Sequence, residues 1–366
     1  MKAHWPLFSI GSAVYLFLAG LVFFLINPSL KDHSDFLSYQ VKAANNQESR
    51  RFDSVESESE YRLTYHWENF ENRELSISFS VSKDVLKESD DEFGYYPDEL
   101  DKYIFDFLVP LRHEMIVHLK TYTQKLIRKS KYSAHFTIEE DGQDRFNLKL
   151  SAMPSNYDEV KKEFERITRA MAKEQAKFFS KIDKATSEAK KEFLQARGLI
   201  YVGTKIGINY GQIARNNRSR VEEVFYTLQK ISEDLNIHQF ISLLLSFIQE
   251  IRYGIPPLSE NGKYILGFWV PLKVLAINFG DCDCKGVTFA SFWLSYKRYP
   301  LLLIKIPNHM FLGLAIPSFG GEGLVINGMR YTLCEVTGPD KIPMGIITPY
   351  SRLHFDGGNY TYDLIK

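Results

Sequence analysis

The chain is poor in cysteine, has no surplus charge of either sign, and carries no long basic stripe. Three cysteines in 366 residues cannot make the disulfide framework of a small secreted scaffold. An odd number leaves at least one thiol unpaired within the chain, and Cys282, Cys284 and Cys334 all fall in its last quarter. Lys plus Arg and Asp plus Glu each number 45, so the formal net charge is zero. Nucleic-acid partners usually require a basic surplus, and the short cluster Lys125-Leu126-Ile127-Arg128-Lys129 reads as a solvated helix face. No nucleic acid is expected as partner, and no cofactor. What the chain does have is 45% hydrophobic residues, enough at this length for two or three domains with cores of their own.

Leu7 to Ile26 contains no charged residue and is dominated by Phe, Leu, Ile and Val. About 20 such residues span a hydrocarbon layer of about 30 Å as a helix, and Trp5 sits where an interfacial anchor would. The run is longer than the apolar core of a signal peptide, and no small-x-small cleavage pattern follows closely, so residues 1–28 read as an uncleaved anchor. Lys2 and the amino terminus precede it, which favours the amino end inside. The expectation is a single-pass inner (plasma) membrane protein with its soluble part periplasmic or extracytoplasmic. Residues 29–60, rich in Ser, Gln, Asn and acids, read as a flexible linker.

The soluble part reads as α+β. Alternation at Tyr61, Leu63, Tyr65 and Trp67, resumed at Leu75, Ile77, Phe79 and Val81, predicts a hairpin. Residues 97 to about 130 predict helices broken near Pro110, and Ala134 to Ile138 with Phe146 to Leu150 predict a strand pair turned at Asp141-Gly142. His113 and His118 lie five apart, roughly 140° round a helix, so they cannot share a metal as the HExxH pair does. From Tyr157 to about Gly198 a stripe of Val160, Phe164, Ile167, Met171, Phe178 and Ile182 marks a helix about 60 Å long. Such a stripe is a packing seam, here read as a spacer or a homodimer contact. These features divide the chain into an accessory α+β region (61–155), a long helical region (156–235) and a final domain (236–366).

The chemistry gathers in that final domain. Gly280-Asp281-Cys282 precedes the apolar run Val287 to Tyr296, with Asp281 placed as N-cap and Cys282 in the first helical turn. A helix amino terminus and a nearby imidazolium both stabilise a thiolate, which makes Cys282 a candidate nucleophile. Leu301 to Ile306 predicts a strand, Pro307-Asn308 a turn, and His309 the start of the next strand. Farther on, Tyr331, Leu333 and Glu335 share one face of a third strand, with Thr332 and Cys334 on the other. A carboxylate beside His309 would fix its tautomer, as the third member of a triad does. Cys284, two positions beyond Cys282, points elsewhere on the helix.

Gly-Asp-Cys-acid-x-Lys opening a helix, His309 opening a strand, and Glu335 just before Thr337-Gly338 resemble the transglutaminase-like superfamily of papain-type folds, in its membrane-anchored bacterial and archaeal form. The likeness extends upstream to Phe247-Ile248-Gln249-Glu250-Ile251-Arg252-Tyr253 and Pro271-Leu272. It implies a nucleophile helix packed on an antiparallel sheet. It also implies Cys282 as nucleophile, His309 as general base and acid, Glu335 as orienting carboxylate, and the Cys282 backbone amide as part of an oxyanion hole. Gln249 is a candidate helper. The implied reaction is cleavage or transfer of an acyl group from an amide, on a peptide or protein of the cell envelope. Cys284 departs from the family pattern, where an acidic residue is common. Two other readings stay open: a non-catalytic envelope module that binds a partner through the same groove, and a zinc site built from Cys282, Cys284, His309 and Cys334.

Overall fold

Alternating burial builds the first sheet. The computed structural model describes residues 51–140, 146–150, 156–232, 234–296, 299–316, 320–337 and 341–366. The expected anchor 1–28 and the turn Asp141-Gly142 lie outside them. Among the described residues no helix is long and apolar enough to cross a membrane. Strand β1 (Phe52–Glu56) pairs antiparallel with β2 (Glu60–Glu68), which pairs with β3 (Glu74–Ser82). Leu63, Tyr65 and Trp67 of β2 and Ile77, Phe79 and Val81 of β3 face the core. β1 falls inside the stretch read as flexible linker, of which Phe52–Glu56 is strand.

After α1 (Lys83–Asp91), capped by Ser82, the chain forms α2 (Pro97–Lys129), β4 (Phe136–Glu140), β5 (Phe146–Leu150) and α3 (Tyr157–Ala196). Helix α2 is continuous through Pro110, correcting the expected break. Pro110 is exposed, so its ring faces solvent. On the opposite side, Met115 and Leu119 continue the packing onto Ile182 of α3. The α3 stripe is consumed in the same way. Val160, Ile167 and Met171 pack with Phe136 of β4, so the stripe is covered within the chain and is not left as an outward seam. His118 pairs with Glu174 of α3 at 3.1 Å and shares no site with His113.

Contacts divide the described chain into two units, Asp98–Phe193 and a second formed by 51–97 with Leu194–Lys366. Boundaries read from the sequence at 155/156 and 235/236 do not coincide with this division. In the second unit the chain continues through β6 (Leu199–Val202), β7 (Lys205–Ile208), α4 (Tyr210–Asn217), α5 (Glu222–Lys230) and α6 (Ile237–Glu250). Helix α6 starts on a complete capping box, Asn236 with Gln239. Phe247 of α6 receives the edges of Tyr65 and Trp67, and Trp67 Nε1 donates to Ser246 Oγ at 3.2 Å. The β2–β3 hairpin therefore belongs to the same core as the final domain.

Short strands β8 (Arg252–Tyr253), β9 (Ser259–Glu260) and β10 (Lys263–Tyr264) lead to α7 (Pro271–Ile277), which ends on Asn278 in the left-handed region. Strand β11 (Phe279–Gly280) pairs parallel with β8 and delivers the chain into α8 (Cys282–Tyr296). Gly280 is required there, because a Cβ would lie 2.9 Å from Cys284 Cβ and 3.3 Å from Val274.

The last sheet comprises β12 (Leu301–Ile306), β13 (His309–Leu314), β14 (Gly323–Ile326), β15 (Met329–Cys334) and, after α9 (Pro349–Asp356), β16 (Thr361–Ile365). Its order is β14-β15-β13-β12-β16, antiparallel throughout. Two-residue turns set the register. Pro307-Asn308, with Asn308 at φ 54°, brings Ile306 opposite His309, and Asn327-Gly328, both at positive φ, brings Ile326 opposite Met329. Helix α8 packs on the face carrying Met310 and Leu303, which Gly286 approaches closely. The opposite face, with Phe311 and Leu333, is covered by Tyr350 and Phe355 of α9. The second unit thus presents the expected α+β arrangement of a helix on an antiparallel sheet.

Candidate active site

Strand register brings His309 and Glu335 together. Leu312 lies opposite Cys334 and Gly313 opposite Leu333. Continued by one residue, the register sets Glu335 opposite Phe311, on the face that His309 shares and diagonal to it. His309 Nε2 and Glu335 Oε2 are 2.8 Å apart, with Glu335 wholly buried and His309 9% exposed. Glu335 Oε1 accepts from Thr348 N at 3.1 Å and from Ser351 Oγ at 2.5 Å. Burial opposes the ionised form, but His309, Ser351 and Thr348 together hold the Glu335 pKa below the ordinary carboxylate value. An ionised Glu335 only accepts, so the bond requires a proton on Nε2. Nδ1 is then the acceptor nitrogen of the neutral ring.

Cys282 opens α8 as expected, and Asp281 caps it, its Oδ1 accepting from Cys284 N at 3.0 Å. The thiol is 6% exposed. It meets β13 through the backbone, since the N–H of Met310, the neighbour of His309, is directed at Sγ. Its side-chain partner is Asp283, whose Oδ1 accepts the S–H at 3.4 Å. Tyr210 of α4 donates its hydroxyl to the other oxygen, Oδ2. No thiol–imidazole hydrogen bond is made in this structure. Two of the three expected site residues are therefore joined directly, and the third sits one backbone residue away with its proton turned to a carboxylate. Hydrogen bonds of a catalytic pair are often completed only when substrate binds.

The electrostatics follow from this packing. The helix amino terminus favours a thiolate. Burial, and then the charges of Asp283 and Asp281, outweigh it and push the Cys282 thiol well above its ordinary range. Burial and the repulsion of Asp283 likewise raise the Asp281 carboxyl. Lys285, one turn along α8 and 1% exposed, is pushed down to about 7 by burial, although Glu250 and Asp281 oppose the shift. A thiol in this setting becomes a nucleophile when a base removes its proton, not through a standing ion pair.

The remaining cysteines take other roles. Cys284 Sγ accepts from Trp269 N at 3.3 Å, and Cys334 is buried with its S–H toward Thr332 O at 3.7 Å. All three are free thiols. Among the described residues no three His, Cys, Asp or Glu side chains converge as a metal site. A cavity of about 440 Å³ lined by Tyr226, Lys230, Leu235, Phe240 and Tyr296, among others, includes none of the three site residues.

Sequence reasoning missed Ser351, Thr348 and Tyr210. Thr348-Pro349 does carry a helix-start signature, and Thr348 Oγ1 caps Ser351 N at 3.1 Å. That this helix start faces Glu335 depends on tertiary packing. Gln249, expected as a helper, holds the backbone of Glu335. No protein-family model, curated protein or solved structure matches this chain, so the functional reading rests on its own residues.

Proposed function

We propose that this chain is a membrane-anchored cysteine acyl-transfer enzyme of the transglutaminase-like type, with a papain-like core formed by α8 and the last sheet. The observation that carries the proposal is the buried His309–Glu335 pair, braced by Ser351 and Thr348, at the start of the strand whose next residue, Met310, meets a thiol at a helix amino terminus. Against the opposing effect of burial, the three donors keep Glu335 ionised and the imidazole oriented.

In the mechanism, Nδ1 of His309 takes the Cys282 proton as Sγ attacks the carbonyl carbon of an amide. The Cys282 N–H, a first-turn amide with no partner within the helix, faces the developing oxyanion. The imidazolium, steadied by Glu335, returns the proton to the leaving amine, and a thioester remains on Cys282. Water or a second amine then attacks the thioester, giving hydrolysis or acyl transfer. The anchor at residues 7–26 sets the enzyme on the outer face of the membrane, where peptides and proteins of the envelope are its substrates.

A second reading, a binding module with an idle thiol, is favoured by the Cys282–Asp283 bond. The two separate on one experiment. Full-length protein in detergent is mixed with a p-nitrophenyl ester and analysed by intact mass and peptide mapping. An acyl adduct on Cys282 that hydroxylamine removes, and that fails to accumulate in His309→Ala, supports the enzyme. No adduct under these conditions favours the binding module.

A further inference from the structure

We infer that Gln249 is a positioning residue for the His309–Glu335 pair, an inference that rests on the acyl-transfer function proposed above. Gln249 is the penultimate residue of α6 and is 7% exposed. Its carboxamide is fully engaged. Nε2 donates to Glu335 O at 2.9 Å and to Ile342 O at 2.8 Å, and Oε1 accepts from Ile342 N at 3.1 Å. Its own backbone carbonyl accepts from Lys285 Nζ at 3.4 Å, one turn beyond the nucleophile on α8. One residue thereby ties the nucleophile helix, α6, the end of β15 and the segment at 341–342 to one another.

The tie sits where the sheet stops holding the acid. Strand β15 ends at Cys334, so the Glu335 carbonyl lies beyond the paired register of β13 and β15. Helix α9 fixes the carboxylate through Thr348 and Ser351, whereas α6 fixes the backbone through Gln249. Both anchors are needed to hold a side chain against the imidazole, because a carboxylate can pivot on a loose backbone while keeping two of its partners. Glutamine suits the role: it reaches two carbonyls as donor and one N–H as acceptor. Glutamate lacks the donors, asparagine is one methylene short, and methionine leaves three backbone groups without partners in a buried space.

The test uses the full chain labelled with ¹⁵N-histidine, comparing wild type, Gln249→Met and Gln249→Asn. The Nε2–H resonance of His309, assigned by its absence in His309→Gln, reports the bond to Glu335 directly. Alkylation of Cys282 across pH 5.5–9 reports its consequence, at a temperature where circular dichroism shows each variant folded. The expected result is a displaced or broadened Nε2–H signal in both variants. Alkylation at pH 7 should also slow by about tenfold or more, the scale of an ångström-sized misplacement, to the level of Glu335→Gln. An unchanged Nε2–H signal in both folded variants overturns the inference, as does a variant that melts earlier with its alkylation profile unmoved. Loss of the fold in both variants also overturns it, because Gln249 would then hold the domain and not the pair. If wild-type alkylation proves independent of His309, the enzyme reading falls while the Nε2–H signal still decides the role of Gln249.

Discussion

Replacing Asp283 by Asn should make Cys282 more reactive, although it removes the only side chain to which the thiol is hydrogen-bonded. Asp283 Oδ1 lies 3.4 Å from Sγ, so forming a thiolate places two negative charges about 4 Å apart. Their repulsion is about 1 kcal/mol in water and about 4 kcal/mol at an effective dielectric constant of about 20. Burial first, and then this repulsion, raise the thiol pKa; at about 1.4 kcal/mol per tenfold, the repulsion suppresses the thiolate by about 10- to 1000-fold, and a 6% exposed sulfur belongs toward the upper end. Asparagine removes the charge and can donate to the thiolate. Thiolate at pH 7 then increases by about 10- to 1000-fold, while intrinsic nucleophilicity falls with a Brønsted slope of about 0.4–0.5, leaving alkylation about three- to fortyfold faster. Tyr210→Phe should act in the opposite sense, because the phenol draws charge from Asp283, and its loss leaves a fuller charge facing the sulfur. The assay is iodoacetamide alkylation of Cys282 from pH 6 to 10, quantified by peptide mass. An apparent pKa that stays put or rises in Asp283→Asn would refute the electrostatic account of this site.

Three further outcomes follow from the same geometry. Glu335→Gln should cost about 2–4 kcal/mol, because a buried carboxylate with three donors is lost. The folded-state pKa of Glu335 is depressed, so its stabilisation is present above the ordinary carboxylate range and disappears as pH falls through the folded value. Urea midpoints of wild type and Glu335→Gln should therefore converge in acid, and a gap that stays constant from pH 6 to pH 3 would contradict this. Lys285 has a folded pKa of about 7 against an unfolded value of about 10.4, so the unfolded chain binds more protons between them and stability rises with pH in that window. Lys285→Met should abolish that rise and be the more stable protein at neutral pH by a few kcal/mol, as measured by urea unfolding at pH 7 and pH 9.5. Cys284 and Cys334 are wholly buried, so native alkylation should modify Cys282 first and reach the other two only after denaturation. Early labelling of Cys334 would mean that β15 opens before Cys282 is exposed.

Much of the local structure was legible because it depends on short-range rules. Alternation at Leu63, Tyr65 and Trp67 fixes β2, and an Asp three residues before a backbone N–H fixes the start of α8. The turn Pro307-Asn308 fixes where β13 begins and so where His309 stands. The proline inside α2 was misread because local rules count the hydrogen bond it removes but not the continuous apolar face that α3 covers. β1 was missed because its residues are largely exposed and only its pairing with β2 makes it a strand. For the site, residue types and order indicated Cys282, His309 and Glu335. The Tyr210 hydroxyl behind Asp283 and the Ser351 hydroxyl on Glu335 join segments 73 and 16 residues apart, and no spacing in the sequence encodes them.

The measurement closest to the central claim is the pH profile of Cys282 alkylation in the full-length protein, comparing wild type with His309→Ala and using Cys282→Ala as the blank. If His309 is the base for Cys282, His309→Ala should lose most of the wild-type alkylation rate at pH 7 and regain it only at alkaline pH, where the thiol ionises unaided. A wild-type profile that rises only with a free, buried thiol and is unchanged in His309→Ala would contradict the assignment of an acyl-transfer site.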